Sequence, residues 1–204
     1  MKIICHGDSL TQGSDIANPL NWTALLGNRL NIPVVNTGIS GDTTAGMLAR
    51  FAVDVVPRKP GIVILMGGTN DLWYDLDVNL ILANLSAMVN QAVFYDIAPV
   101  IGLPLPICVE QVNRMDWAPP GKGYAYLSGR IRELVDRLAA EAAAWEVPVL
   151  DFYHLFLDDQ AMEKTPWFLA DGVHPARPGH QAMAGHGAQV LGETFCFQGF
   201  TRDD

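Results

Sequence analysis

Short apolar runs alternate along the chain with turn-forming clusters and with longer stretches of helical spacing. Each run is four to six residues long, rich in Ile and Val, and bounded by Gly, Asn, Asp or Ser. Runs of this kind are typical of strands that are buried on both faces. The predicted strands are residues 2–6, 33–36, 61–66, 98–103 and 147–151.

Helical spacing fills most of the stretches between these runs. In residues 77–96 the apolar positions fall on one stripe, and Asp77 stands where a capping residue is expected. Residues 122–145 carry a second stripe, with Glu133 and Arg137 one turn apart on the opposite face. Shorter helices are predicted over residues 21–30, 43–51 and 178–192.

The alternation of buried strands with helices predicts an α/β fold. Such alternation requires crossover connections, and these produce a parallel sheet with helices on both faces. We predict a flavodoxin-like three-layer α/β/α sandwich, with a five-stranded parallel sheet in the order 2-1-3-4-5. The length of 204 residues fits a single domain over residues 1–204.

Composition and charge exclude some classes of protein and disfavour others. Hydrophobic residues make up 50% of the chain and charged residues 17%, which excludes a disordered protein. The formal net charge is −9, and an acidic surface repels phosphate backbones and anionic bilayers. We therefore expect no nucleic-acid partner and no membrane-surface role.

The cysteines and the apolar runs indicate the cellular compartment in which the protein is expected. Cys5, Cys108 and Cys196 are too few and too scattered for a disulfide framework or a metal site, which favours a reducing environment. The N-terminal apolar run is too short for a secretory signal, and residues 62–66 are too short to span a bilayer. We expect a cytoplasmic protein with no membrane span; the sequence does not indicate its oligomeric state.

Chemically useful side chains follow the predicted strands. Strand one is followed by Ser9, strand two by a turn that contains Gly41, and strand three by Asn70; Asp171 and His174 come after strand five. Because sheets of this type bind ligands beyond the carboxyl ends of their strands, we expect these residues to meet at one edge.

Together these residue types suit acyl transfer. A serine hydroxyl becomes an effective nucleophile when an imidazole takes its proton, and a carboxylate must hold that imidazole in place. The tetrahedral intermediate then needs donors for its oxyanion. Backbone N–H groups at Ser9 and in the Gly41 turn, with the Asn70 amide, can supply them.

Each of these residues also has a purely structural interpretation. Ser9 can cap a helix, Asn70 can form a turn, and an Asp–His pair can belong to a surface loop. A second pair, Asp151 and His154, has the same spacing and also follows a strand. Its apolar flanks indicate packing, so the glycine-bearing loop of Asp171 and His174 is favoured.

Other common catalytic sites are not indicated by the sequence. Cys5 and His6 are consecutive on a strand and point to opposite faces, so they are rejected as a thiol–imidazole pair. The sequence contains no G-x-S-x-G elbow, no phosphate-binding P-loop, no G-x-G-x-x-G after a strand and no H-E-x-x-H. We expect no metal and no cofactor.

Four blocks in order resemble the GDSL/SGNH hydrolase family. They are Gly7-Asp8-Ser9-Leu10, the segment 36–43 with Gly41, Gly68-Thr69-Asn70-Asp71, and Asp171-Gly172-Val173-His174. The resemblance implies Ser9 as nucleophile, His174 as base with Asp171 as its partner, and Ser9, Gly41 and Asn70 as the oxyanion hole. Residues 36–71 are especially similar to bacterial enzymes of the multifunctional thioesterase/protease/lysophospholipase type.

We therefore expect a serine esterase that acts on a small-molecule ester through an acyl-enzyme. The alternatives are a thioesterase or lysophospholipase, a carbohydrate acetylesterase and, from a different class, a non-catalytic binding module or a flavodoxin-like cofactor carrier. Asp8, Trp117 and Trp167 are the expected substrate-binding residues. Trp117 lies in the long segment 104–121 after strand four, which is predicted to be a functional loop.

Overall fold

A five-stranded parallel sheet lies at the centre of the computed structural model, which describes residues 1–14 and 16–197. The order of the strands is β2-β1-β3-β4-β5, as predicted, and every pairing is parallel. The strands are β1 (Ile3–Gly7), β2 (Val34–Asn36), β3 (Ile62–Met66), β4 (Ala98–Leu103) and β5 (Val149–Asp151). The central strand β3 and its neighbour β1 are buried along their whole length.

Helices connect the strands and cover both faces of the sheet. Asp77 caps the helix that follows it, because its side chain accepts a hydrogen bond from Asn79 N at 2.7 Å. The helices are α1 (Ser9–Gln12), α2 (Trp22–Leu30), α3 (Thr44–Asp54), α4 (Thr69–Trp73), α5 (Val78–Phe94), α6 (Val109–Val112), α7 (Tyr124–Ala144), α8 (Phe152–Leu155) and α9 (Arg177–Phe195).

The hydrophobic core has two layers, one on each side of the sheet. Alternate residues of β1 point into different layers, since Ile4 packs with α3, α5 and α7, whereas Ile3 and Cys5 pack with α2 and α9. Apolar side chains on both faces explain why the strands read as continuous apolar runs in the sequence. The predicted three-layer α/β/α sandwich is confirmed.

The short helices and some element bounds differ from the sequence predictions. The segment 104–121 contains the short helix α6, and α4 forms directly after β3, where only a turn was expected. The last strand begins at Val149 rather than at residue 147, because Val147 N still donates to Ala142 O at the end of α7. Helices of four or five residues are too short to show a periodic apolar pattern.

No helix in residues 1–14 and 16–197 is long and apolar enough to cross a bilayer. The single domain over residues 1–204 stays a prediction, and its positions 15 and 198–204 lie outside the described residues.

Candidate active site

A cavity of about 220 Å³ lies at the carboxyl edge of the sheet. Ser9 reaches it from the end of β1, Asn70 from α4 after β3, and Gly41 from the loop after β2. His174 enters from the segment that precedes α9. The structure thus brings together side chains from parts of the chain far apart in sequence, as the carboxyl-edge rule predicts.

Ser9, His174 and Asp171 form a continuous chain of polar contacts. His174 Nε2 lies 3.0 Å from Ser9 Oγ, and His174 Nδ1 lies 2.7 Å from Asp171 Oδ2. A carboxylate can only accept there, so the Nδ1 proton points to Asp171 and Nε2 is left to accept from the serine hydroxyl. This arrangement can withdraw the hydroxyl proton as the oxygen attacks a carbonyl carbon.

The Asp171 carboxylate is itself held by its own loop. Its Oδ1 accepts from the backbone N–H groups of Val173 and His174 at 2.8 and 2.9 Å. Burial alone would raise the pKa of Asp171, but the hydrogen bonds from His174 and Val173 outweigh burial and lower that pKa. Asp171 is therefore suited to remain an anion beside the imidazole.

Glycine is required at position 172, between the two halves of this pair. Gly172 has a φ of 69°, and a Cβ there would lie 2.6 Å from the carbonyl oxygen of Cys108. The close approach allows Cys108 N to donate to Gly172 O at 2.7 Å. The loop of Asp171 and His174 is thus pinned to the segment that follows β4.

Asp8 borders the cavity, yet its side chain is fully buried. Its Oδ1 accepts from Leu10 N at 2.9 Å and caps α1, the short helix that begins at Ser9. Burial raises the pKa of Asp8 to about 7. The hydrogen bonds of Asp8 thus go to the protein, and its expected contact with substrate stays a prediction.

The candidate oxyanion donors at Ser9, Gly41 and Asn70 line one cavity. Asn70 Nδ2 donates to the carbonyl of Asp42 at 2.9 Å and lies 3.4 Å from Asp8 Oδ2. Gly41 has a φ of 78°, a backbone conformation that favours glycine, at the exposed tip of its loop. The amide of Asn70 is thereby held against the residue that follows Gly41, and Asn70, Gly41 and Ser9 line the same cavity.

Aromatic side chains form one wall of the cavity. Trp73 and Trp117 both line it and pack edge to face, with ring centroids 6.0 Å apart. Tyr124 contacts both members of this pair. Its ring centroid is 5.6 Å from that of Trp73, and its hydroxyl donates to Trp117 O at 3.3 Å. Trp73 and its neighbour Tyr74 were missed in the sequence, because they follow Asn70 on a helix that was not predicted.

Trp167 does not line this cavity. It packs edge to face on Phe156 at 5.4 Å and lies beneath Lys164, whose Nζ is 4.4 Å from the centre of its ring. Its carbonyl accepts from Ala176 N at the start of α9. The structure therefore separates Trp167 from Trp117, because the turn that carries Trp167 packs on the core layer of α2 and α9.

The second Asp–His pair is formed but stands apart from Ser9. His154 Nδ1 lies 2.8 Å from Asp151 Oδ2, and Asp151 also caps α8 by accepting from His154 N. His154 is exposed and lines a different cavity, of about 320 Å³, on which Ser128 also borders. Sequence spacing alone could not separate the two pairs, whereas their position relative to Ser9 does.

The rejected pair of Cys5 and His6 is buried in the sheet. His6 Nε2 contacts the carbonyl of Met47 at 2.9 Å, and burial lowers the pKa of His6 to about 4. Burial raises the pKa of the Cys5 thiol. Among the described residues, no group of three or more His, Cys, Asp or Glu side chains could hold a metal ion.

Comparison with known proteins places the chain in one family. The model of the GDSL-like lipase/acylhydrolase family matches residues 5–182. An arylesterase from Vibrio mimicus is 27% identical over 93% of this chain and 88% of its own length. Esterase TesA from Pseudomonas aeruginosa is 31% identical over 85% of this chain and 79% of its own length.

A solved structure has the same fold. A lipolytic protein of the G-D-S-L family from Desulfitobacterium hafniense superimposes with a TM-score of 0.80 and 27% sequence identity. The match covers 93% of this chain and 99% of that one. The resemblance seen in the four sequence blocks is thereby confirmed, and the chain belongs to the GDSL-like lipase/acylhydrolase family of carboxylic-ester hydrolases.

Proposed function

We propose that the protein hydrolyses small-molecule carboxylic esters through an acyl-enzyme on Ser9. The observation that carries the proposal is the contact chain from Ser9 Oγ through the His174 imidazole to the Asp171 carboxylate. In the first half-reaction Ser9 Oγ attacks the ester carbonyl while His174 Nε2 takes its proton. The tetrahedral intermediate then collapses, and His174 returns the proton to the departing alcohol.

The oxyanion of the intermediate is held by three donors in this proposal. They are the backbone N–H groups of Ser9 and Gly41 and the side-chain amide of Asn70. Donors that are already oriented stabilise developing charge without reorganisation during the reaction. In the second half-reaction His174 takes a proton from a water molecule, which attacks the acyl carbon. The intermediate collapses to the carboxylic acid as the bond to Ser9 Oγ breaks, and His174 returns the proton to Ser9 Oγ. Atoms and protons balance over the two steps, and no cofactor is required.

Labelling with a fluorophosphonate separates this proposal from a non-catalytic binding module. The probe forms a bond to an activated serine oxygen with loss of fluoride, so wild-type protein should take up one label per chain. Hydrolysis of p-nitrophenyl acetate should be lost in step with labelling. Peptide mapping should find the label on Ser9. A protein that stays unlabelled, or that is labelled while activity persists, contradicts the proposal.

The aromatic wall supports a preference for esters with an apolar group. Trp73, Tyr74 and Trp117 border the cavity next to Ser9, and its volume of about 220 Å³ suits a short acyl chain or an aryl ring better than a long lipid tail. Thioesters, lysophospholipids and acetylated sugars remain the alternative substrates to be assayed beside the esters. We propose Trp117 as the residue that sets the size limit.

Trp117→Ala should shift the chain-length optimum toward longer acyl groups. Removing the indole enlarges the cavity on its partly exposed side, where 39% of Trp117 is accessible to solvent. The measurement is kcat/KM for p-nitrophenyl esters from acetyl to palmitoyl. The control is Tyr95→Ala, an exposed aromatic residue at the end of α5, which should leave the ratios unchanged. Unchanged ratios in Trp117→Ala would refute the assignment.

A further inference from the structure

Arg50 is a largely buried cation on α3 that does not line the cavity. Only 16% of its side chain is exposed, and its charge is balanced by Asp42 and Asp54 at 2.7 and 2.9 Å. A cation held away from water is retained only when every donor finds a partner. The other N–H groups of the guanidinium therefore show which segments of the chain Arg50 holds together.

The remaining donors of Arg50 bind the ends of two strands. Nη2 donates to the carbonyl of Gly7 at 2.8 Å, and Nη1 donates to the carbonyl of Thr37 at 2.5 Å. Gly7 is the last residue of β1, two positions before Ser9, and Thr37 directly follows β2. One guanidinium thus joins the exit of β1 to the start of the loop that carries Gly41.

Asp42 extends this connection to the third candidate donor. Its carboxylate accepts from Arg50 Nε, while its backbone carbonyl accepts from Asn70 Nδ2 at 2.9 Å. Asp42 also directly follows Gly41 in the chain. Segments that carry all three proposed oxyanion donors are therefore tied to one side chain.

The loop has little apolar packing that could hold it instead. Residues 39–41 are exposed, and a Cβ built on Gly41 would meet nothing within 4 Å. Polar anchors fix its ends: Gln12 Oε1 accepts from Ser40 N at 2.9 Å, and Asp71 accepts from Thr44 N at the start of α3. Two backbone bonds also join this loop to β1, from Ile39 N to Gly7 O at 3.0 Å and from Thr37 N to Cys5 O at 2.9 Å. Arg50 adds side-chain bonds to the carbonyls of Gly7 and Thr37, and it also binds the Asp42 carboxylate.

We propose that Arg50 is a positioning residue that sets the spacing between Ser9, Gly41 and Asn70. The inference rests on the proposed function, because it assigns Arg50 to the same oxyanion hole. Displacement of about 1 Å in such a site can lower a rate on the order of 100-fold. The effect should appear in kcat more than in KM, since the donors act on charge that develops after substrate has bound.

Arg50→Lys tests geometry without removing the charge. A single ammonium cannot reach Asp42, Gly7 and Thr37 at once, whereas the planar guanidinium does. We expect kcat for p-nitrophenyl acetate to fall about 10- to 100-fold, with KM changed less than about 3-fold. The matched control is Asp54→Asn, which removes a partner of Arg50 that leads away from the cavity. It should keep nearly full kcat.

A double-mutant cycle with Asn70→Ala separates positioning from a general structural role. Asn70→Ala alone should lower kcat about 100- to 1,000-fold, as loss of an oxyanion donor does. If Arg50 acts through these donors, the fall in kcat caused by Arg50→Lys should be at least about 3-fold smaller in the Asn70→Ala background than in the wild type, because one of the three positioned donors is already absent. The same loss in both backgrounds, or wild-type kcat in folded Arg50→Lys, overturns the inference.

A substitute variant and one further outcome keep the test decisive. If Arg50→Lys does not fold, as judged by circular dichroism, Asp42→Asn replaces it, because this change weakens the Arg50 contact and keeps the Asp42 carbonyl. The same fall in kcat and the same cycle are expected, and wild-type kcat in Asp42→Asn refutes the inference. Wild-type kcat in Asn70→Ala would instead refute the oxyanion hole of the proposed function, and the role of Arg50 with it.

Discussion

Ser9→Ala should abolish nearly all esterase turnover while leaving the fold intact. Loss of a nucleophile in a serine hydrolase lowers kcat by about 10⁴- to 10⁶-fold. The side chain of Ser9 is small and contacts His174 Nε2 at 3.0 Å, so its removal creates almost no cavity in the core. The measurement is kcat on p-nitrophenyl acetate, together with the thermal unfolding midpoint.

The control for this change is Ser128→Ala. Ser128 borders the cavity of His154, so it is the serine that would be nucleophilic if the second Asp–His pair were the functional one. Its replacement should leave turnover unchanged. Retention of a tenth of the wild-type activity in Ser9→Ala would show that the nucleophile has been assigned wrongly, and loss of activity in Ser128→Ala would move it to the other cavity.

His174→Ala should be about as damaging as Ser9→Ala, because the serine hydroxyl is then left without a base. His154→Ala should remain active, although both imidazoles face a carboxylate at almost the same distance, 2.7 and 2.8 Å. In the wild type, kcat/KM should fall on the acid side of the pH profile. Only a neutral imidazole can accept the proton of Ser9, so protonation of His174 removes the base.

The comparison of the two histidine variants decides between the Asp–His pairs. Loss of activity only in His154→Ala would reverse the assignment. Equal losses in both variants would show that neither pair acts alone as the base. A flat profile between pH 5 and pH 8 would argue against an imidazole base altogether.

The sheet could be predicted from the sequence because its strands are short runs that are mostly apolar, and the interior strands β1 and β3 are buried along their whole length. Ile3, Ile4 and Cys5 alternate between two core layers, which leaves no polar position inside the run. Turn residues then mark where each strand ends, and the carboxyl-edge rule brings Ser9 and Asn70 together without coordinates. The fold and the location of the candidate site can thus be predicted from the apolar runs and from the turn residues that end them.

Contacts between loops could not be predicted in the same way. Trp117 and Trp167 look equivalent in sequence, but one turns toward the cavity and the other packs on Phe156. Arg50 gave no signal, because a charged residue on a helix is usually solvated and nothing local shows that it turns inward. Such features depend on how distant segments meet, which neither periodicity nor motif spacing encodes.

Because Asp8 is buried, its contribution to stability and the proposed catalysis depend on pH in opposite directions. Its pKa is about 7 in the folded protein, against about 3.8 in an exposed chain. Between these values the folded state keeps a proton that the unfolded state has released, so the contribution of Asp8 to the free energy of unfolding falls as pH rises. This contribution of Asp8 is full below about pH 4 and is lost once the pH passes about 7.

The proposed base depends on pH in the opposite direction, since His174 can accept the proton of Ser9 only after losing its own. We therefore expect the contribution of Asp8 to stability to be larger on the acid side, and the capacity of His174 as a base to be larger on the basic side.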